Sequence, residues 1–185
     1  MGRLVYSMIT SLDGFVNDPD GIGWVEPGEQ AHRFINGRSR AIGTLLMGRR
    51  MYDVMKAWQT MATEPSDPEV YHEYGELWRA ADKVVFSTTR EEPETPRTRV
   101  ERSFDATAVR ALVDASSKDV SIDGPTLAAQ ALQAGIVDEV SMYVQPIVVG
   151  AGQRFLPARL RLDLGLEEER RFDDGMVFLR YDVRR

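Results

Sequence analysis

The 185-residue chain is 43% hydrophobic and 28% charged, which suits one globular domain with a sizeable core and leaves no comfortable room for two. It has no cysteine and only two histidines, His32 and His72, which excludes disulfides, thiol nucleophiles and thiolate zinc sites and predicts no metal centre. A net charge of −6 without a Lys/Arg tract argues against nucleic acid, and the apolar runs are too short to span a bilayer, so a cytoplasmic protein is expected.

Arg3 to Ile9 mixes β-branched and aromatic residues and predicts a first strand. Ser11 to Gly28 is polar, with turn signals at Asp13-Gly14 and Asp18-Pro19-Asp20-Gly21, and so long a segment without periodicity points to a functional loop. Ala31, Phe34, Ile35 and Ile42 fall near helical spacing and predict a helix over Glu29 to Ile42. Thr44 to Met47 reads as a short buried strand. Arg49 to Trp58 suits a helix with Met51, Val54, Met55 and Trp58 on one stripe. Beyond a proline-bearing loop, Val70 to Ala81 reads as a helix and Lys83 to Thr88 as a strand ending in hydroxyls; Pro93 to Pro96 marks another loop.

Asp105 suits the N-cap of a helix carrying Val109, Leu112 and Val113. Asp119 to Ile122 is the next strand, and Pro125 and Gly135 bracket the following helix. Val137 to Val149 reads as a long strand in which Pro146 demands an edge or a bulge. Arg161 to Arg171 and Met176 to Val183 close the chain as strands joined by Asp173-Asp174-Gly175. Strands alternating with helices imply a mostly parallel sheet with helices on its faces, an antiparallel hairpin at one edge, and a single α/β domain over 1–185.

Three strand ends are chemically unusual, at the place where ligands of open α/β sheets gather. Met47-Gly48-Arg49-Arg50 combines a backbone open to close approach with two guanidinium groups, or is a tight turn with solvated arginines. Phe86-Ser87-Thr88-Thr89-Arg90 offers hydroxyls and a cation suited to a phosphate, although such hydroxyls are also ordinary turn formers. Ile122-Asp123-Gly124-Pro125-Thr126-Leu127 brings helix-start amides fit for a pyrophosphate. There Asp123 is discordant, because a carboxylate repels phosphate; its plain role is a helix cap.

In order along the chain, Ser11-Leu12-Asp13-Gly14-Phe15, Leu46-Met47-Gly48-Arg49-Arg50-Met51-Tyr52 and Val85-Phe86-Ser87-Thr88 resemble the dihydrofolate-reductase-like superfamily. Ile122 to Leu127, Ala134-Gly135-Ile136-Val137-Asp138-Glu139 and Pro146-Ile147-Val148-Val149-Gly150-Ala151-Gly152 resemble its riboflavin-biosynthesis pyrimidine reductase branch. The resemblance runs from Leu4 to about Tyr181. It implies a three-layer sandwich on a central sheet of about eight strands, an NADPH-dependent reductase and a homodimer. It places Gly48, Arg49 and Arg50 on the adenosine side of the cofactor and Ser87 and Thr88 on its 2′-phosphate. Gly124, Pro125, Thr126 and Leu127 fall on its pyrophosphate, with Ser11 to Phe15 beside the nicotinamide and substrate.

Two departures from the family pattern bear, the first on phosphate contact at Asp123 and the second on substrate. The family often has Gly-Gly where this chain has Asp123-Gly124. The first-helix acid that holds the pterin in dihydrofolate reductases falls near His32 here, which points away from folate. Asp13 is the expected catalytic residue, for substrate binding or proton handling, with a turn role before Gly14 as its alternative. Phe15, Trp24 and His32 are expected at the substrate, although a histidine on such a helix is more often at the surface; Trp58 is expected in the core. The expected reaction is hydride transfer from NADPH to a C=N or C=O bond of a flat pyrimidine- or pterin-like heterocycle. A non-catalytic nucleotide-binding homologue and a reductase using a flavin or deazaflavin are the alternatives. The dimer interface is expected near the Val137 to Val149 strand and the Gly150-Ala151-Gly152 loop, because an unpaired edge is a liability unless covered.

Overall fold

In a computed structural model that describes residues 1–184, eight strands form one sheet. They are β1 (Leu4–Ser11), β2 (Ile42–Gly48), β3 (Asp82–Phe86), β4 (Thr98–Glu101), β5 (Asp119–Asp123), β6 (Glu139–Gln145), β7 (Asp163–Arg171) and β8 (Val177–Arg184). Their order is β4-β3-β2-β5-β1-β6-β8-β7. Neighbours from β4 to β6 pair in parallel, and β8 alone runs against both β6 and β7. The helices are α1 (Glu29–Ser39), α2 (Arg49–Met55), α3 (Glu69–Ala80), α4 (Ala106–Ala115) and α5 (Pro125–Gln133).

Alternation along the central strands sorts side chains between two helix layers. Leu4 and Tyr6 of β1, Val120 and Ile122 of β5 and Leu46 of β2 pack against Val109 and Val113 of α4 and Leu127, Ala128 and Ala131 of α5. The opposite face carries two separate apolar clusters. Tyr143, Phe178, Phe172 and Met176 pack under α1, and Met47, Tyr52, Trp78 and Val85 pack with α2 and α3. Between these clusters lie β1 and β5, whose residues on this face include Ser7, Ser121 and Asp123. Small polar side chains there leave the space unfilled.

Local signals act where expected. Asp105 caps α4, its carboxylate accepting from Thr107 N at 2.8 Å and Ala108 N at 3.2 Å. Pro125 opens α5, and Gly135 follows it at φ +67°. Gly175, at φ +87°, turns the closing hairpin.

Several boundaries differ from those predicted. Ile42 leaves the first helix for β2, where it pairs with Asp119 of β5. The Arg49 helix passes into a 3₁₀ turn over Lys56–Gln59. β3 ends at Phe86, so Ser87 and Thr88 stand in the turn beyond it. β4 was not anticipated; its four residues alternate too briefly to stand out, and only the β3 ladder makes them a strand. β6 covers only Glu139–Gln145 and is paired on both sides, so Pro146 lies just past an interior strand and marks no edge. No helix among the described residues is long and apolar enough to cross a membrane.

Candidate active site

The unfilled space is a cleft of about 1540 Å³, running along the sheet between α1, α2 and α3 and opening at the carboxyl ends of β2, β3 and β5. It forms where β1 and β5 part: their ladder stops after Val5↔Ser121, while β1 stays paired with β6 up to Ser11↔Gln145. Its far end is lined by Glu139, only 3% exposed. That carboxylate is held by Arg38 at 2.5 Å, Arg3 at 3.3 Å and Arg180 at 3.5 Å, and it accepts from the Ser141 hydroxyl at 3.0 Å. With its charge matched, the group has the partners a buried ion requires.

The three strand ends singled out in the sequence meet at the mouth. Gly48, Arg49, Arg50, Ser87, Thr88, Gly124, Pro125, Thr126 and Leu127 all line the cleft. Gly124 is the N-cap of α5 at φ +91° and gives no side-chain cap, so the following amides of Thr126 and Leu127 lack intrahelical partners. A Cβ on Gly124 would approach that of Met51 to 3.3 Å, whereas one on Gly48 would meet nothing nearer than Leu127 Cβ at 3.9 Å. Gly48 therefore leaves open space that the fold does not need. Arg49 and Arg50 are exposed; Arg49 reaches Asp53 only at 3.5 Å, and Arg50 has no ion pair among the described residues. The Ser87 oxygen accepts from Thr89 N at 3.3 Å and Arg90 N at 2.9 Å, which fixes the turn and leaves its own hydrogen for another acceptor. Arg90 is committed elsewhere, to Asp53 and Glu94. The exposed Arg50 guanidinium without an ion pair, Arg49 held only by Asp53 at 3.5 Å, free amides and an open glycine at one mouth fit a dinucleotide phosphate.

Deeper in, the lining turns aromatic and weakly acidic. His32 is buried against Trp58, Tyr71 and Tyr74, with ring centroids 6.3, 5.0 and 5.8 Å away, so it is not a surface histidine. Burial lowers its pKa, which keeps the ring neutral, and its Nδ1 has no hydrogen-bond partner. Trp58 packs against the Met47, Tyr52, Trp78 and Val85 cluster, as expected of a core residue, and also lines the cleft. Tyr74 and Tyr143 also face it, both phenols raised by burial. Asp123 ends β5 in the same lining. It caps nothing, since Gly124 takes that position; instead its carboxylate accepts from the Ser121 hydroxyl at 2.5 Å. Burial pushes the Asp123 carboxyl up to about 7, against the pull of that hydroxyl. Tyr74, Tyr143 and Asp123 were not read from the sequence as members of one site, although serine and aspartate at alternate positions of central parallel strands are a signal of unfilled space.

Three expected site residues stand outside the lining. The Asp13 carboxylate accepts from Gly150 N at 2.8 Å and Val149 N at 3.2 Å, tying the loop after β1 to the loop after β6. The Ser11 hydroxyl and these amides hold it below the usual carboxylate range, which suits an anchor and not a proton donor. Phe15 is buried in a bridge to Arg154, whose guanidinium lies 4.7 Å over its ring. Trp24 sits in the same long loop, its indole N–H buried without a partner. Loop geometry has turned Asp13 and Phe15 toward neighbouring loops. Among the described residues no group of three or more His, Asp or Glu side chains is placed to hold a metal.

The family model for the RibD C-terminal domain matches residues 3–178. An uncharacterized protein of Bacillus subtilis, YyaP, is 27% identical over 184 residues, covering 97% of this chain and 94% of its own. A solved structure from Shewanella sp. PV-4, described as a candidate riboflavin biosynthesis protein, superposes with a TM-score of 0.76 at 18% identity over 99% of both chains. The Thermotoga maritima diaminohydroxyphosphoribosylaminopyrimidine deaminase/5-amino-6-(5-phosphoribosylamino)uracil reductase gives a TM-score of 0.67 at 12% identity. That match covers 99% of this chain and 57% of the longer protein.

Proposed function

The chain belongs to the RibD C-terminal domain family, and we propose that it is an NADPH-dependent reductase that reduces a C=N or C=O bond of a flat, pyrimidine- or pterin-like heterocycle. The observation that carries this reading is the convergence of three strand ends on one cleft with an aromatic interior. The cleft exceeds the several hundred Å³ of an ordinary small-molecule site and suits a dinucleotide beside a second ring. When bound, the dihydronicotinamide supplies the hydride. Arg49, Arg50 and the Ser87 and Thr88 hydroxyls would hold the 2′-phosphate and adenosine side, and the Thr126 and Leu127 amides the pyrophosphate. Gln153, whose side-chain amide donates to Thr126 Oγ1 at 2.6 Å, steadies that end of the cleft. His32, Trp58 and Tyr74 give the heterocycle an apolar wall with polar edges. A carboxyl near 7 is largely uncharged below neutrality, which eases the repulsion expected between Asp123 and a phosphate.

Calorimetric titration with NADPH, NADH and FMN tests the reading. NADPH should bind about tenfold or more tightly than NADH, since charge-assisted contacts contribute roughly 1.5–3 kcal/mol each. Gly48→Ala should keep the thermal midpoint, because Gly48 has an ordinary φ of −72° and the added methyl clears protein atoms, yet weaken NADPH binding about tenfold or more by blocking the close approach of the cofactor. Equal affinity for the two dinucleotides, or a Gly48→Ala variant binding NADPH as wild type does, would remove the assigned phosphate site.

We also propose a homodimer. Its support is the exposed apolar tip formed by Leu12, Ile147 and Val148, where Leu12 N donates to Ile147 O at 2.8 Å.

A further inference from the structure

We propose that the Asp123 carboxyl is the proton donor of the reduction, delivering its proton to the substrate heteroatom while the carbon of the same bond receives hydride. This rests on the reductase reading above and adds a residue that the family pattern does not supply, since glycine often stands at its position. The geometry is specific. Asp123 is the last residue of a central strand, at the point where β5 has parted from β1, and it lines the cleft between the phosphate-binding mouth and the aromatic interior. One carboxyl oxygen is fixed by Ser121 at 2.5 Å, and its other oxygen has no hydrogen-bond partner among the described residues.

The titratable groups that feel Asp123 are Tyr74 of α3 and Tyr6 of β1, while Tyr143 of β6, His32 of α1 and Arg49 and Arg50 of α2 line the same cleft. Among the described residues no cation pairs with Asp123, and His32 is kept neutral, so nothing favours the ionised form except the Ser121 hydroxyl. The resulting value of about 7 matches the requirement of a general acid working near neutrality. The step balances. Hydride from the dihydronicotinamide forms the new C–H bond and leaves oxidised nicotinamide. The proton from Asp123 forms N–H or O–H as the π bond breaks, and water entering the open cleft restores the proton to the carboxylate.

Asp123→Asn keeps the shape and removes the acid. It should fold, and at pH 7.5 its thermal midpoint should exceed that of wild type. The folded state holds this proton up to about 7 while the unfolded chain releases it near 3.8, so wild-type stability falls across that window. With 5-amino-6-(5-phosphoribosylamino)uracil and a panel of pterins as acceptors, NADPH oxidation should fall ~10²–10⁴-fold in Asp123→Asn with NADPH affinity retained. In wild type, activity should decline as pH rises through 7. Ser121→Ala, which loses the bond favouring the carboxylate, should move that limb upward, an effect that a purely structural role would not produce. A carboxyl NMR titration placing Asp123 in the ordinary aspartate range would overturn the proposal without any substrate. An Asn variant with wild-type turnover would overturn it too. Failure of the wild type to bind NADPH would overturn the reductase reading, and the donor role with it; intact NADPH binding with an inert Asp123 would remove only the donor.

Discussion

Asp13 and Asp123 are both aspartates at strand ends, and their surroundings send them in opposite directions. Asp13 accepts two loop amides and a hydroxyl, which favour its charged form; Asp123 has one hydroxyl, and burial disfavours its charge. The first is suited to hold structure, the second to give up a proton. Asp13→Asn should therefore lower the thermal midpoint while leaving NADPH affinity and turnover near wild type. The sign follows from linkage: a folded-state value below the unfolded one contributes stability that is present above the unfolded pKa and lost as pH falls through the folded one. The gap between wild type and variant should accordingly shrink as pH drops below about 4. A fall in turnover with an unchanged midpoint would return Asp13 to the site.

At the scale of elements, the end of α3 rests on a buried lysine. Lys83, 1% exposed, donates to Trp78 O at 2.9 Å and Ala81 O at 2.7 Å, and its ammonium lies 4.4 Å over the Trp78 ring. It thus supplies donors to the final carbonyls of a helix that has no C-terminal glycine and lets β3 start at once. Burial, helped by Arg97 and opposed by Asp82, pushes its pKa down to about 8. Between about 8 and 10.5 the unfolded chain keeps a proton that the folded chain has lost, so this contribution to stability rises with pH. Urea denaturation should show wild type gaining on Lys83→Met by on the order of 1–3 kcal/mol between pH 7.5 and 10. A difference that does not change with pH would refute the assignment. Nothing in the pattern Lys-Val-Val-Phe announces this role, because it depends on where the preceding helix ends.

For the whole molecule, the sheet edges matter. β4 carries Arg99 and Glu101, and β7 carries Glu167, Glu168, Glu169, Arg170 and Arg171. Short or charged edges resist strand pairing between copies. A dimer is therefore expected to use the apolar tip at Leu12, Ile147 and Val148, where exposed apolar surface lies together. Light scattering at micromolar concentration should give twice the chain mass, and Val148→Asp should give the monomer. A monomeric wild type would dismiss the proposal.

Elements with a strong local cause were legible in the residues themselves: the Asp105 cap, the Pro125 and Gly135 bracket of α5, the Asp173-Asp174-Gly175 turn and the alternation of β8. So were the nine strand-end residues that meet at the cleft mouth, because turn chemistry and chain order are sequence properties. Tertiary structure decided what depends on neighbours remote in the chain. β4 exists through its ladder with β3, β6 is interior because β8 returns beside it, and Asp13 was taken from the site by amides 136 and 137 residues away. The cleft itself arises from the parting of β1 and β5 and from serines between the two apolar clusters of one sheet face. Asp123 has a raised pKa rather than a helix-capping role for the same reason: burial is a property of the packed surroundings, and no short stretch of chain contains it.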